Sequence, residues 1–135
     1  MYLIAFFLIL IFGGPVASAQ NSTTLAEIDT QHEKSQLHTE YQNIASQIEN
    51  VLADNPNQYQ WHWRQARTQY SLAKKAGESK SNHYDLCIFH SSRAIELHPD
   101  SAISYFYRGL CRGKQGELKG LWASLGIIEP FQEDM

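Results

Sequence analysis

The sequence predicts an all-α chain of stacked helix-turn-helix repeats, a short α-solenoid. Three observations predict it. Strand signals are missing: no alternation of apolar and polar residues is sustained, and β-branched residues are sparse. Apolar residues recur instead at helical spacing, and two such segments stop at Asn55-Pro56 and His98-Pro99, where proline forbids continuation. The helical faces also repeat. Tyr41, Ile44, Ile48 and Val51 form one set, Tyr84, Cys87, Ser91 and Ala94 a second, and Leu118, Leu121, Leu125 and Ile128 a third. Each set steps by 3, 4 and 3. A face that recurs in this way cannot be buried by one unit alone, so the units must stack.

The first 19 residues stand apart from the repeats. The chain has 135 residues, 43% of them hydrophobic, and a net charge of -3, yet Met1 to Ala19 contains no charged side chain. Tyr2 to Phe12 is an unbroken apolar run, broken by Gly13-Gly14-Pro15 and followed by Ala17-Ser18-Ala19. This is the apolar core and small-residue cleavage site of a secretory signal, with cleavage expected after Ala19. The alternative is an uncleaved membrane anchor, since nineteen helical residues reach about 28 Å. Both readings place residues 20–135 outside the cytoplasm, periplasmic or secreted. Asn21-Ser22-Thr23 fits the glycosylation sequon, which matters only in a eukaryotic host.

The first helix is expected from Thr24 to Ala53, with Leu37, Tyr41, Ile44, Ile48 and Val51 on one face. The offset from Tyr41 to Tyr84 is 43 residues, and from Tyr84 to Leu118 it is 34. The longer offset is assigned to an insertion at Ala76 to Asn82, rich in Gly, Ser and Lys, which reads as an extended inter-helix loop. The last unit begins near Pro99-Asp100-Ser101-Ala102, turns at Gln115-Gly116-Glu117-Leu118, and continues into a second helix through Leu121.

On these residues the chain resembles the tetratricopeptide repeat (TPR) family, whose period is 34 residues. In the third unit Tyr105 matches the family's aromatic, Gly109 its packing glycine and Gly116 its turn glycine. In the second unit Trp63, Ala66 and Tyr70 match the first-helix face, with Arg67 at the glycine position, and Ala94 to Pro99 match the usual helix ending. Leu121 stands where the family has a small residue. The resemblance covers about residues 41–128, or two and a half repeats. A narrower resemblance joins Trp63-Arg64-Gln65-Ala66-Arg67 and Arg108 to Glu117 to two groups. One is the periplasmic TPR partner of tripartite solute transporters, and the other is TPR proteins of the regulator-of-microtubule-dynamics type.

Catalytic motifs are missing from the sequence: it has no zinc-protease motif, phosphate loop, dinucleotide fingerprint or nucleophile elbow. His83, Cys87 and His90 share one side of a helix but lack a fourth metal ligand. Glu133 and Asp134 read as exposed tail charges. Lys74, Lys75 and Lys80 read as a solvated helix end. Cys87 and Cys111 read as small buried residues on two helices, although an oxidising compartment permits them to pair. Trp61 and Trp63 cannot share one helix face; with Trp63 buried, Trp61 points elsewhere, either exposed beside Arg64 as at a binding hot spot or packed against the long first helix.

What the TPR resemblance implies for function is an interaction groove lined by the first helix of each pair. The groove residues would be Trp61, Arg64, Gln65 and Thr68 in the second unit, and Ile103, Phe106, Tyr107 and Leu110 in the third. The packing residues would be Trp63, Ala66, Tyr70, Ala94, Tyr105 and Gly109. The expected function is a non-enzymatic scaffold that binds a protein or peptide in this groove. The alternative is a small-solute binding partner of a transport system. No cofactor, metal or catalytic residue is implied. The mild acidity, with a pI near 6.0, argues against a nucleic-acid partner. The uncapped last unit leaves Leu125, Ile127 and Ile128 on a flank, so self-association is expected, or a chain cut from a longer repeat protein.

Overall fold

A computed structural model describes residues 22–120 together with Asp134. The expected signal segment, the third repeat set beyond Leu118 and the flank at Ile127-Ile128 lie outside the described residues. Those described are all-helical: α1 is Leu25–Lys34, α2 His38–Asp54, α3 Tyr59–Lys75, α4 Lys80–Leu97 and α5 Ala102–Lys119. No described helix is long and apolar enough to cross a membrane.

Each helix start and stop has a local cause. At α1 a reciprocal capping box operates. Thr24 Oγ1 accepts the Glu27 amide at 3.2 Å, and the Glu27 carboxylate accepts the Thr24 amide at 2.8 Å. The single helix expected over Thr24 to Ala53 is in fact two. Glu40 accepts the amides of Gln36 and Leu37 at 2.7 and 2.9 Å, which opens a new helix, and these bonds hold its carboxyl below the usual carboxylate range. Tyr41 donates its hydroxyl to the Ser35 carbonyl at 2.8 Å and pins the break. Leu37 therefore lies outside the apolar face and is 62% exposed. The expected insertion loop is shorter than residues 76–82, because α4 already begins at Lys80.

The third unit differs more. Gly116 does not turn the chain; α5 runs through it to Lys119 and ends at Gly120, whose φ of 87° suits glycine. Leu118 thus belongs to the first helix of that unit, and it is exposed.

Successive helices pack against each other, and so do the alternate ones: α1 touches α3, and α3 touches α5. The result is two layers, with α1, α3 and α5 side by side and α2 and α4 behind them. The core has two parts. Ile28, Ile44, Ile48, Leu52 and Trp61 fill the space between α1, α2 and α3. Ala66, Ala73, Tyr84, Cys87 and Cys111 join α3, α4 and α5. Small residues dominate the second cluster and let the helices approach closely. There Cys87 and Cys111 form a disulfide between α4 and α5, with Cα atoms 6.3 Å apart. The expectation of two unpaired buried cysteines is corrected here: both are fully buried, and they pair.

Polar side chains complete the interior. Gln115 donates Nε2 to the Ser81 carbonyl and to Asp85, and accepts from the Ser81 hydroxyl, clamping α5 to the start of α4. His62 donates Nε2–H to the Pro56 carbonyl at 2.7 Å, which leaves Nδ1 as an acceptor for His90 Nδ1–H at 3.1 Å. Burial lowers both rings, His90 to about 4, so both are neutral near pH 7.

Candidate functional site

The face presented by α1, α3 and α5 can be built residue by residue. On α5, the sequence places Ile103, Phe106, Tyr107 and Leu110 on one side, and the structure leaves that side open. Phe106 is 57% exposed and Ile103 38%, with Tyr107 and Leu110 half-buried. The adjacent side of α5 carries Ser104, Cys111 and Gln115 into the core, and Tyr107 packs at its edge against the second core cluster. Ser104 and Cys111 are fully buried, which fixes the helix orientation.

On α3 the face is turned from the expected one. Trp61, Gln65 and Thr68, placed in the groove by the resemblance, are buried, at 5%, 0% and 0% exposure. Trp61 packs on Ile44, Ile48 and Leu52 of α2. Gln65 donates to the Ala45 carbonyl, and Thr68 donates to the carbonyl of Arg64. The residues facing α4 are His62, Ala66, Gln69 and Tyr70, so of the expected packing residues Ala66 and Tyr70 hold their place and Trp63 does not. Ala66 is fully buried, and Gln69 accepts from His83 at 2.8 Å. One step around the helix, Trp63, Arg64, Arg67 and Ser71 face α1 and the layer surface. The missed residues are Trp63 and Arg67. A register counted forward from Pro56, as the third unit is counted from Pro99, would have found them.

Trp63, Arg64 and Arg67 form a fixed group. The Arg64 guanidinium lies 4.1 Å from the Trp63 ring centroid and that of Arg67 5.2 Å. Both arginines pair with Asp29 of α1, at 2.7 and 2.8 Å. Burial opposes ionisation of Asp29, but bonds to Arg64 and Arg67 outweigh it and lower its pKa. His32, one turn along α1, contacts Ser71 Oγ at 3.1 Å. Its own burial, with the nearby Arg67 charge, lowers its pKa to about 4. From α3 the stripe reaches α5 at Tyr70, whose ring lies 6.5 Å from that of Tyr107, and Phe106 meets Tyr107 edge-on at 5.1 Å.

At the C-terminal ends of α3 and α5 the surface changes character. Tyr70, Lys74, Lys80, Tyr84, Lys114, Glu117 and Leu118 line an open pocket of about 340 Å³. Three lysines from three helices line it, beside one glutamate. Lys80 and Lys74 are thus not merely a solvated helix end; the fold sets them opposite Lys114. Glu117 pairs with Lys114 at 3.0 Å and raises its pKa. The Tyr84 phenol is raised by burial and keeps its proton as a donor.

The remaining expected positions are structural. Ala94 and Gly109 are buried, and Tyr105 is half-buried with Arg108 over its ring at 5.4 Å. Asp134 is not an exposed tail charge: its side chain is enclosed and held by Arg108 and Arg112. The helix side bearing His83, Cys87 and His90 is committed to other partners: a disulfide, Gln69 and His62. No cluster suited to a metal ion occurs among the described residues.

No protein-family model matches the chain, and no curated protein or solved structure matches it significantly.

Proposed function

We propose that the protein is a non-enzymatic interaction module of the TPR type, acting outside the cytoplasm. Its α1, α3 and α5 layer would form the concave surface that takes an extended segment of a partner protein. The observation that carries this reading is the open row Ile103, Phe106, Tyr107 and Leu110 on α5, continued by Trp63 and Arg67 on α3. Aromatic residues and arginine in a half-exposed, pre-ordered row are the types that dominate binding energy at interfaces. The side-by-side packing of alternate helices supports the repeat reading, since stacked helical pairs place their first helices in one layer. The Cys87–Cys111 disulfide supports the compartment, because such bonds persist in oxidising surroundings.

The test is binding. Peptide-library capture by purified residues 20–135 should yield ligands whose affinity falls at least tenfold in Phe106→Ala, with the melting temperature unchanged. Ligands indifferent to Phe106→Ala would sink the groove. A second reading, a small-solute binding partner of a transport system, is favoured by the pocket of about 340 Å³, which is within the range of small-molecule sites. Native mass spectrometry of protein from its own host would show a bound small molecule in that case and none in the other.

A further inference from the structure

A second concavity lies at the α2–α3 turn. It shares no residue with the lysine pocket or with the row on α5. Its volume is about 420 Å³, within the range of small-molecule sites. Helix spacing builds one wall. Gln47, Asn50, Val51 and Asp54 stand at i, i+3, i+4 and i+7 of α2, and so share one side of that helix. Asn55, the C-cap of α2, and Gln58, the residue before α3, continue the lining across the turn. Ser22 and Thr23, just before α1, add two hydroxyls. Val51 and the edge of the otherwise buried Trp61 supply the apolar part.

The lining is rich in groups that donate and accept without charge. Its carboxamides come from Gln47, Asn50, Asn55 and Gln58; among the described residues that line it none is cationic, and Asp54 is the one carboxylate. Gln47 is fixed by reciprocal hydrogen bonds to Gln31, at 2.9 and 3.3 Å. The side chains of Asn50, Asp54, Asn55 and Gln58 make no hydrogen bond or ion pair among the described residues, and Gln58 does not cap α3 with its side chain. An anion entering here would meet the Asp54 charge with no cation to offset it. An apolar ligand would strip water from the amides and leave them unpaired, which is costly. A planar base would find only the edge of Trp61 to rest on. A neutral polyhydroxylated ring meets none of these objections. Each of its hydroxyls both donates and accepts. Neighbouring hydroxyls therefore pair with the N–H and C=O of one carboxamide, or both donate to Asp54, while the C–H side of the ring rests on Val51 and Trp61. We propose that this pocket binds a neutral saccharide of one or two rings, held through Asn50, Asp54 and Gln58. The site is independent of the groove on α5.

Chemical-shift titration of the isotope-labelled chain of residues 20–135 tests this. The reporters are the side-chain amide signals of Asn50, Asn55 and Gln58 and the indole signal of Trp61. The probes are maltose, cellobiose, mannobiose and N,N′-diacetylchitobiose, each taken to about 10 mM, tenfold above a millimolar Kd. At least one sugar should shift the four signals together and saturate. Its affinity should hold at about 0.5 M salt, because screening acts on charges and the ligand has none. The double variant Asn50→Ala, Gln58→Ala should weaken binding at least tenfold. Both side chains are exposed, so the melting temperature should match the parent. Phe106→Ala should leave sugar binding unchanged. Four titrations without a shift at these signals overturn the proposal, as does equal binding by the double variant. Loss of sugar binding in Phe106→Ala overturns it too, by placing the sugar on α5. Triglycine shifting the same signals as strongly would make this a site for peptide backbone and also overturn it. Each of the first two outcomes leaves the groove standing, since the two sites share no residue.

Discussion

At the scale of single residues, the two tryptophans decide how the face is read. Trp61 is 5% exposed and fills the space beside Ile44, Ile48 and Leu52, whereas Trp63 is half-buried with two guanidinium groups against its ring. Trp61→Ala should therefore cost roughly 3–5 kcal/mol in denaturant unfolding. Trp63→Ala should leave stability nearly intact and weaken peptide binding. The opposite pattern would restore the register implied by the family resemblance. Histidine chemistry gives a second residue-level expectation. His32 and His90 have folded-state values near 4, below their unfolded value of 6.5, through burial first. A lowered histidine contributes stability above pH 6.5 and loses it as the pH falls towards 4, by up to about 1.4 kcal/mol per pH unit for each fully titrating ring. Urea midpoints should thus fall between pH 6.5 and 4, and His90→Phe should flatten the slope. An unchanged midpoint over that window would contradict the buried neutral pair. Gly109 is buried inside α5, so Gly109→Leu should lower the melting temperature by overpacking.

At the scale of elements, the strongest single constraint is the disulfide between α4 and α5. Cys87 and Cys111 are separated by 24 residues. Closing a loop of that length removes unfolded-chain entropy worth about 3.5 kcal/mol. Reduction, or Cys87→Ala with Cys111→Ala, should lower unfolding free energy by about that amount and loosen α5 first. Hydrogen exchange should show α5 amides losing protection while α2 amides keep theirs; uniform loss would mean that the two core clusters behave as one. Periodicity found the buried faces of α2 and α4, Ile44 and Ile48 on one and Tyr84, Cys87, Ser91 and Ala94 on the other, although Leu86 and Phe89 of α4 are exposed. It missed the break before α2, because Glu40 capping two amides and Tyr41 holding Ser35 are short polar events that leave the apolar period undisturbed. It also turned the chain too early at Gly116. A glycine can sit in a helix or end one, and here the positive φ falls at Gly120.

At the scale of the whole molecule, the proposed binding depends on whether the layer of α1, α3 and α5 acts as one surface. Asp29 ties α1 to α3 through Arg64 and Arg67, and Tyr70 meets Tyr107 across α3 and α5. The face is therefore pre-ordered, which limits the entropy lost on binding. Asp29→Asn should free both arginines and weaken peptide binding more than it lowers stability, a difference that titration calorimetry beside thermal melting would measure. Equal binding by that variant would show that the arginines need no such positioning.

The all-α class, the helix-turn-helix rhythm and the proline stops were legible in the residues alone, whereas the row on α5 was implied only by the family resemblance. Each of the first three depends on local spacing, or on a backbone rule that a single segment obeys. Tertiary structure alone decided the rotation of α3, the pairing of Cys87 with Cys111, the enclosure of Asp134 and the gathering of Lys74, Lys80 and Lys114. In each of these, groups distant in sequence come together. Their partners depend on how the helices are turned and stacked, and a short window of sequence cannot specify that.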